Sequence, residues 1–319
     1  MRVGILGTGS IASKMAETIN KMDNVSLYAV ASRTKECAEE FAQKYHVEKI
    51  FYNYEELAAC PEVELVYIAT PHVVHYENMK LCLKYRKAIL CEKPFTVTWE
   101  QANEIFVLAN EKGCFVAEAM WTRYMPWVNE IKKFLKPEKI GRISSLTANL
   151  GYVIQQIPRL REPQLAGGAL LDLGIYLIHF ARTVFGSRIK SITSEAVLSK
   201  KGVDICNSMI LEFEAEQIAM LHSSICATLD QRAAIYGENG YVEIVNVNNP
   251  EMIKLYNRNH ICQEQKKMPK QISGLEYELS CCCHAMERGE LECLLLPHEE
   301  TLEVLRLMEE MRKSWGMEY

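Results

Sequence analysis

The sequence predicts an α/β protein in two parts: a parallel sheet with helices on both faces, then an α+β domain with a large, mostly antiparallel open sheet. Strand-like and helix-like segments alternate through residues 1–120, which is typical of a parallel sheet. Beyond that point, strand-like runs follow one another at hairpin spacing. The length of 319 residues fits two domains, at a prior of ~150 residues for each.

The first part combines short apolar runs with helices that have one apolar side. Ile11, Met15 and Ile19 recur at helical spacing, which predicts the first helix. Thr98 is followed three residues later by Gln101, a capping box that predicts another helix start. The predicted strands are 2–6, 25–31, 65–69, 88–91 and 114–117, and the predicted helices are 10–22, 34–45, 76–85 and 98–111.

The second part has a different rhythm, with long alternating segments in place of strand–helix units. A turn of sequence Glu-Asn-Gly separates the last two of these segments and predicts a hairpin. The predicted strands are 142–152, 189–198, 208–213, 217–226, 232–237 and 240–246, and the predicted helices are 126–135, 168–185, 276–288 and 298–313. We therefore predict two domains, 1–120 and 121–319.

Composition and charge argue against several classes of protein. The 36 basic and 41 acidic residues give a net charge of −5, so neither nucleic acid nor an anionic membrane is an expected partner. We find no secretory signal and no long apolar run of membrane-spanning length, which favours a cytoplasmic protein with free thiols. The 12 cysteines include the run Cys281-Cys282-Cys283, whose role stays open. No His or Cys spacing suggests a metal site.

A glycine-rich turn follows the first strand and fits the pattern G-x-G-x-x-A of dinucleotide-binding Rossmann domains. In this pattern the first glycine allows a tight turn, the second lets the backbone approach a pyrophosphate, and the small Ala12 lets the helix pack on the strand. The helix N-terminus faces the phosphates. The alternative is a purely structural glycine turn. The candidate cofactor-binding residues here are Gly7, Thr8, Gly9, Ser10 and Ile11.

The residues after the second strand favour NADP over NAD. A dinucleotide-binding domain that prefers NAD usually has an acidic residue about 20 positions after the glycine motif. Here Ser32 and Arg33 occupy that region. A carboxylate would repel the 2′-phosphate of NADP, whereas Arg33 can pair with it or stack on the adenine. The alternative is a solvated arginine at a strand end, and NAD stays possible.

Two further elements carry candidate catalytic residues. Lys93 lies in Glu92-Lys93-Pro94, directly after a predicted strand, and ligands bind at the carboxyl ends of strands in such sheets. Asp172, Tyr176 and His179 form a polar stripe on an otherwise apolar helix. A tyrosine is a suitable proton donor or acceptor if a nearby cation lowers its pKa, and Lys93 could supply that charge. The alternative is a satisfied polar network in the core.

Taken together, these motifs resemble the Gfo/Idh/MocA oxidoreductases from end to end. Within the family the chain is most similar to the NADP-using dihydrodiol and D-xylose dehydrogenase branch, because of Glu118–Arg123 and of Tyr176 where many relatives have His. The motifs that carry the resemblance are Gly7-Thr8-Gly9, Ala69-Thr70-Pro71-His72, Glu92-Lys93-Pro94, Glu118-Ala119-Met120-Trp121-Thr122-Arg123 and the helix from Gly167 to Tyr176.

The resemblance implies roles for individual residues. Lys93 would be the catalytic lysine, Tyr176 the acid/base, and Asp172 would orient Lys93 or the substrate. His72 is a departure from the family pattern, which usually has Asn after Thr-Pro. The remaining cofactor-lining candidates, besides Lys93 itself, are Thr70, Pro71, His72, Glu92, Trp121 and Arg123.

The predicted function is hydride transfer between NADP and a sugar, a cyclic polyol or a vicinal diol. Two alternatives remain: a dinucleotide-binding sensor without activity, and an NAD-dependent dehydrogenase of the inositol type. The resemblance also implies a homodimer or homotetramer that pairs through the outer face of the C-terminal sheet. An antiparallel sheet with one free face agrees with such pairing.

Overall fold

The computed structural model describes residues 1–186, 188–317 and 319. The chain divides into two compact units, each built from two segments. Unit 1 comprises Met1–Tyr124 and Gln271–Arg306, and unit 2 comprises Met125–Lys270 and Leu307–Tyr319.

Unit 1 contains a six-stranded, all-parallel sheet. Its strand order is β3-β2-β1-β4-β5-β6, the doubly wound order of dinucleotide-binding domains. The five predicted strands are present, while the short edge strand β3 was not expected. Its three residues are too few for a recognisable hydrophobic pattern. The strands are β1 (Arg2–Leu6), β2 (Ser26–Ala31), β3 (Lys49–Phe51), β4 (Leu65–Ile68), β5 (Ala88–Glu92) and β6 (Val116–Ala119).

The helices of unit 1 cover this sheet. The Thr98 hydroxyl accepts the Gln101 N–H at 3.3 Å, so the predicted cap starts the fifth helix. The helices are α1 (Ser10–Ile19), α2 (Lys35–Tyr45), α3 (Tyr54–Ala59), α4 (His75–Lys84), α5 (Trp99–Lys112) and α6 (Trp121–Tyr124), with α10 (Glu276–Glu287) and the start of α11 (His298–Ser314) from the second segment.

Unit 2 contains an eight-stranded sheet in the order β14-β13-β12-β11-β7-β10-β9-β8. Its pairs are antiparallel except for the parallel pair of β7 and β10. The fold class is therefore as predicted. The strands are β7 (Ile143–Gly151), β8 (Ile189–Leu198), β9 (Asp204–Phe213), β10 (Ile218–Ser224), β11 (Ala233–Gly237), β12 (Gly240–Val245), β13 (Met252–Asn257) and β14 (Cys262–Lys267).

The helices of unit 2 include one with an irregular start. Two short helices, α7 (Trp127–Phe134) and α8 (Pro137–Ile140), precede the sheet. The predicted helix 168–185 is present, but its first part, Leu170–Gly174, is a π-helical turn that leads into α9 (Ile175–Phe185). Such turns are frequent at functional sites.

The grouping of the C-terminal segment differs from the predicted division at residue 120. We expected all residues after 120 in one domain, whereas Gln271–Arg306 belong to unit 1. The physical reason is specific packing: the His298 ring stacks on Phe106 at 3.9 Å, and the Thr301 hydroxyl donates to Glu118 at 2.8 Å. Sequence periodicity shows that a helix has an apolar side but not which sheet that side covers.

One stretch of 23 residues, Pro163–Phe185, is long and apolar enough to cross a membrane by length and composition alone. In the structure, 72% of its most apolar window is buried inside the protein. The core helix of a soluble protein meets the same criteria, so the stretch is weak support for a membrane span.

Candidate active site

The glycine turn of unit 1 has the shape that a dinucleotide requires. Gly7 is buried with φ +101°, and a Cβ atom there would lie 2.8 Å from the Ala69 carbonyl oxygen. Gly9 is exposed, and a Cβ there would have no atom of the described residues within 4 Å. Only glycine fits the first position, and the second leaves open space in front of the backbone. Such open space lets the backbone come close to a pyrophosphate.

The N-terminus of α1 adds to this fit. Its cap, Gly9, offers no side chain to the first turn, and no acidic residue lies there. The first N–H groups, at Ser10 and Ile11, therefore point outward without competition from a local carboxylate, which favours an anion. Ala12 is fully buried, as expected for close packing of the helix on the sheet.

The end of β2 also fits the predicted cofactor. Ser32 is buried, and its hydroxyl accepts the Thr34 N–H at 3.3 Å. Arg33 is exposed and interacts with Tyr54, where burial raises the pKa of the tyrosine and Arg33 opposes the rise. Because residues 31–35 contain no carboxylate, a cation is the charge available to a 2′-phosphate at this position.

The turn after β4 is held by buried polar contacts. The Thr70 hydroxyl accepts from the Asn78 side-chain amide at 2.9 Å. Pro71 precedes a short 3₁₀ turn that begins at His72, and the His72 ring meets the His75 ring edge to face at 5.8 Å. Both Thr70 and His72 are nearly buried, so this loop packs closely at the sheet edge where the cofactor is expected.

Lys93 lies on a turn whose backbone is held by three buried titratable side chains. The Lys93 N–H donates to Glu92 Oε2 at 3.2 Å, and the Phe95 N–H donates to Glu118 Oε1 at 3.2 Å. Between them, His75 Nδ1 lies 3.0 Å from the Pro94 carbonyl oxygen, while its Nε2 lies 2.8 Å from that of Thr70. His75 thus ties the two predicted loops together.

The charge of Lys93 acts on the pKa values of the buried acids at this turn. Burial raises the pKa of Glu118 to about 7 and also raises that of Glu92, while the positive charge of Lys93 works in the opposite direction on both. Burial lowers the pKa of His75. Lys93 itself is partly exposed between the buried Glu92 and Pro94, and it directly follows the last residue of β5, at the carboxyl end of the sheet.

The two candidates from α6 have different surroundings. The Lys14 ammonium lies 4.1 Å from the centre of the Trp121 ring, so this aromatic face carries a cation from α1. Arg123 donates from Nη2 to the Leu295 carbonyl at 3.0 Å and pairs with Glu300 at 3.7 Å. The structure thus gives Arg123 a packing role inside unit 1, and its contact with a cofactor stays a prediction.

In unit 2, the helix with the π-helical start carries Asp172, Tyr176 and the fully buried His179. Asp172 is nearly buried, and its Oδ1 accepts from both terminal nitrogens of Arg159 at 3.1 and 3.0 Å. Tyr176 is half-buried. Arg159 was not predicted from the sequence, because it lies on a short 3₁₀ turn, Pro158–Arg161, that is too brief to show a periodic pattern.

No metal site accompanies these residues in the described part of the chain, where no three His, Cys, Asp or Glu side chains could together hold an ion. Cys282 and Cys283 are buried and Cys281 is half-buried on α10. All twelve cysteines are free thiols.

The fold and the glycine turn are those of a dinucleotide-binding protein. The model of the oxidoreductase family with an NAD-binding Rossmann fold matches residues 1–120, and the model of the GFO/IDH/MocA C-terminal domain matches residues 128–243. The chain therefore belongs to the Gfo/Idh/MocA family of oxidoreductases, which confirms the predicted resemblance.

Individual relatives agree with this family. The trans-1,2-dihydrobenzene-1,2-diol dehydrogenase of Xenopus tropicalis is 36% identical over 244 residues, covering 76% of this chain and 74% of that protein. The scyllo-inositol 2-dehydrogenase (NADP(+)) IolU of Bacillus subtilis is 30% identical over 327 residues, covering 100% and 98%. The aldose-aldose oxidoreductase structure from Caulobacter crescentus has a TM-score of 0.88 at 19% identity, covering 98% and 97%.

Proposed function

We propose that this chain is an NADP-dependent dehydrogenase that transfers a hydride between the cofactor and a sugar, a cyclic polyol or a vicinal diol. The carrying observation is the turn of Lys93, a half-exposed lysine at the carboxyl edge of the sheet that also bears the glycine turn. Relatives named for a dihydrodiol and for an inositol support the substrate class, and the NADP(+) in one name supports the cofactor.

The residues of this chain would hold the cofactor at its pyrophosphate and at its 2′-phosphate. The backbone at Gly9 and the N–H groups of Ser10 and Ile11 would bind the pyrophosphate. Arg33 would pair with the 2′-phosphate. When bound, NADP supplies the acceptor of the hydride, or its donor in the reverse direction.

The chemical step needs a proton acceptor and a cation, and this chain has both. In the oxidative direction Tyr176 Oη would take the proton of the substrate hydroxyl. The Lys93 ammonium would stabilise the negative charge that develops on the tyrosinate or on the substrate oxygen. Asp172, whose carboxylate is fixed by Arg159, would orient a substrate hydroxyl.

A substrate panel tests this proposal. Purified protein is assayed with aldoses, inositols and dihydrodiols, each with NADP and separately with NAD, and the reduced nicotinamide is followed by its absorbance. We expect turnover of at least one class with a higher kcat/KM for NADP. Tight NADPH binding without turnover of any compound would favour the sensor alternative. A preference for NAD would favour the inositol-type alternative.

We also propose that the chain forms a homodimer through the outer face of the sheet in unit 2. Ile210 and Met220 lie directly opposite each other on β9 and β10, and they are 46% and 42% exposed. Their neighbours Met209 and Leu221 point to the buried side. This outward row continues to Thr147 on β7 and Thr193 on β8. An apolar centre with polar flanks suits a symmetric interface between two copies.

A further inference from the structure

Asp204 lies at the start of β9, buried against the helix that carries the candidate catalytic residues of unit 2. Its Oδ2 accepts the Leu170 N–H at 2.8 Å and the Asn207 side-chain amide at 2.7 Å. The helix has no side-chain cap of its own, since Ala169 occupies that position. A carboxylate from a neighbouring strand therefore takes the place of the local cap.

The glycine that precedes this helix lies directly against the same carboxylate. Gly168 has φ +109°, and a Cβ atom there would lie 2.1 Å from Asp204 Oδ1. No hydrogen-bond partner for Oδ1 is found among the described residues. The absence of a side chain at Gly168 thus allows the carboxylate to reach the first N–H groups of the helix.

Buried hydrogen bonds continue from Asp204 through Asn207 to Ser223 on the neighbouring strand. Asn207 Oδ1 accepts the Ser223 hydroxyl at 3.0 Å, and both residues are essentially buried. The Ser223 hydroxyl lies 3.2 Å from where a Cβ of Gly174 would be. The strands β9 and β10 therefore contact the π-helical turn at both of its ends, with Asp172 between them.

We propose that Asp204 is a positioning residue, which fixes the start of this helix and thereby the placement of Asp172 and Tyr176; the inference rests on the proposed function of those two residues. A carboxylate at a helix N-terminus is stabilised by the partial positive charge there. Small displacements of reacting groups cost large factors in rate. The charge on Asp204 is therefore needed for turnover and not only for folding.

The charged groups around Asp204 agree with a role that depends on its ionisation. Burial raises the pKa of Asp204 to about 6, and the hydrogen bonds from Asn207 and Leu170 oppose this rise. Two residues of the C-terminal segment contribute here. The positive charge of Arg312 attracts the Asp204 carboxylate. The Tyr319 hydroxyl donates to the Gly167 carbonyl at 3.0 Å. Protonation of Asp204 removes the charge at the helix start as the pH falls through about 6.

The test compares Asp204→Ala and Asp204→Asn with the wild type. Asparagine keeps an oxygen acceptor for the Leu170 N–H but has no charge, whereas alanine removes both. For Asp204→Ala we expect kcat to fall roughly 10-fold to 100-fold with the NADPH Kd unchanged. The kcat of Asp204→Asn should lie between those of the wild type and Asp204→Ala. For the wild type we expect kcat to fall as the pH drops from 7 to 5, and Asp204→Asn should not show this fall. The exposed Asp230→Asn in the same unit is the control.

Hydrogen exchange of the amides from 168 to 176 separates this inference from the proposed function, because it requires no substrate. We expect faster exchange in both Asp204 variants and none of this change in Asp230→Asn. If the wild type turns over no substrate, the proposed function fails while the exchange result still decides the positioning role. Unchanged exchange together with unchanged kcat in Asp204→Asn would overturn the inference, and this variant decides the matter if Asp204→Ala does not fold.

Discussion

At the scale of single residues, the turn of the candidate lysine is held by the buried Glu92 and Glu118, whose contacts no short motif reveals. Glu118 accepts hydrogen bonds from the Phe95 backbone and from the Thr301 hydroxyl, and it is 2% exposed. Its position within a family motif was noted in the sequence, but its partners are 23 and 183 positions away. Spacing along the chain cannot reveal contacts of that range.

The first prediction concerns the pH dependence that Glu118 imposes on stability. Burial raises its pKa to about 7 from the ordinary 4.5, so the folded protein holds this proton more tightly than the unfolded chain does. The stability that Glu118 contributes is present below about pH 4.5 and is lost as the pH rises to about 7. The free energy of unfolding of Glu118→Gln should therefore rise by roughly 3 kcal/mol relative to that of the wild type as the pH increases across this range, at about 1.4 kcal/mol per pKa unit.

Urea unfolding of both proteins at intervals between pH 4.5 and 8 measures this difference. Glu130→Gln is the control, because Glu130 pairs with Lys133 near the surface, which lowers its pKa and removes the reason for such a gain. A difference between Glu118→Gln and wild type that does not change with pH would contradict the prediction.

At the scale of elements, the sequence predicted the helices and strands with regular local patterns most clearly. The alternation of strands and helices in unit 1, the start of α5 at Thr98 and the range of β8 all follow from local patterns. The last two strands, β13 and β14, escaped prediction. The edge strand β14 is exposed along its whole length and shows no alternation. The π-helical turn also escaped, because its extra residue per turn arises from packing.

The second prediction belongs to the end of β2. Arg33→Ala removes the cation next to the site of the 2′-phosphate, so NADP should bind roughly 10-fold to 100-fold more weakly, as expected for a charged hydrogen bond of about 1.5–3 kcal/mol. NAD has no 2′-phosphate, so its affinity should change little. Fluorescence titration with NADPH and NADH measures both constants. An equal loss for the two cofactors would refute the assignment of Arg33 to the phosphate.

The third prediction belongs to the turn before the helix that carries Asp172 and Tyr176. Gly168→Ala adds a Cβ to a strained backbone position that faces Asp204 Oδ1, so we expect a loss of about 3 kcal/mol or more in unfolding free energy from combined strain and overpacking. Gly186→Ala is the matched control, since its φ is also positive at +64° but no atom of the described residues lies within 4 Å of the added carbon. Its cost should stay near 1 kcal/mol, from the backbone alone. Thermal unfolding of both variants checks the difference, and equal losses would mean that Asp204 does not set the cost.

At the scale of the whole molecule, the fourth prediction concerns assembly. Met220→Lys places a charge in the middle of the exposed apolar row on the sheet of unit 2, where it would have to be desolvated in a dimer. We expect the dimer to dissociate at protein concentrations where the wild type stays paired, measured by light scattering after gel filtration. Val107→Lys is the control, because Val107 is 49% exposed on α5 in the other unit. A wild type that is monomeric at all concentrations would contradict the proposed interface.

The fifth prediction concerns the two candidate catalytic residues. The proposed reaction assigns the cation to Lys93 and the proton acceptor to Tyr176. Lys93→Met and Tyr176→Phe should each lower kcat by ~100-fold or more, because each removes one part of the acid–base step. The NADPH Kd should change little in Tyr176→Phe, whose side chain is not assigned to the cofactor.

The double variant decides whether the two residues act together. Groups that serve one step are strongly non-additive, so Lys93→Met combined with Tyr176→Phe should cost about as much in kcat as the worse single change. Steady-state kinetics with the best substrate of the panel gives all four corners of this cycle. If the two losses multiply, Lys93 and Tyr176 contribute independently and the ammonium does not assist the tyrosine. Near-normal turnover in either single variant would remove that residue from the mechanism.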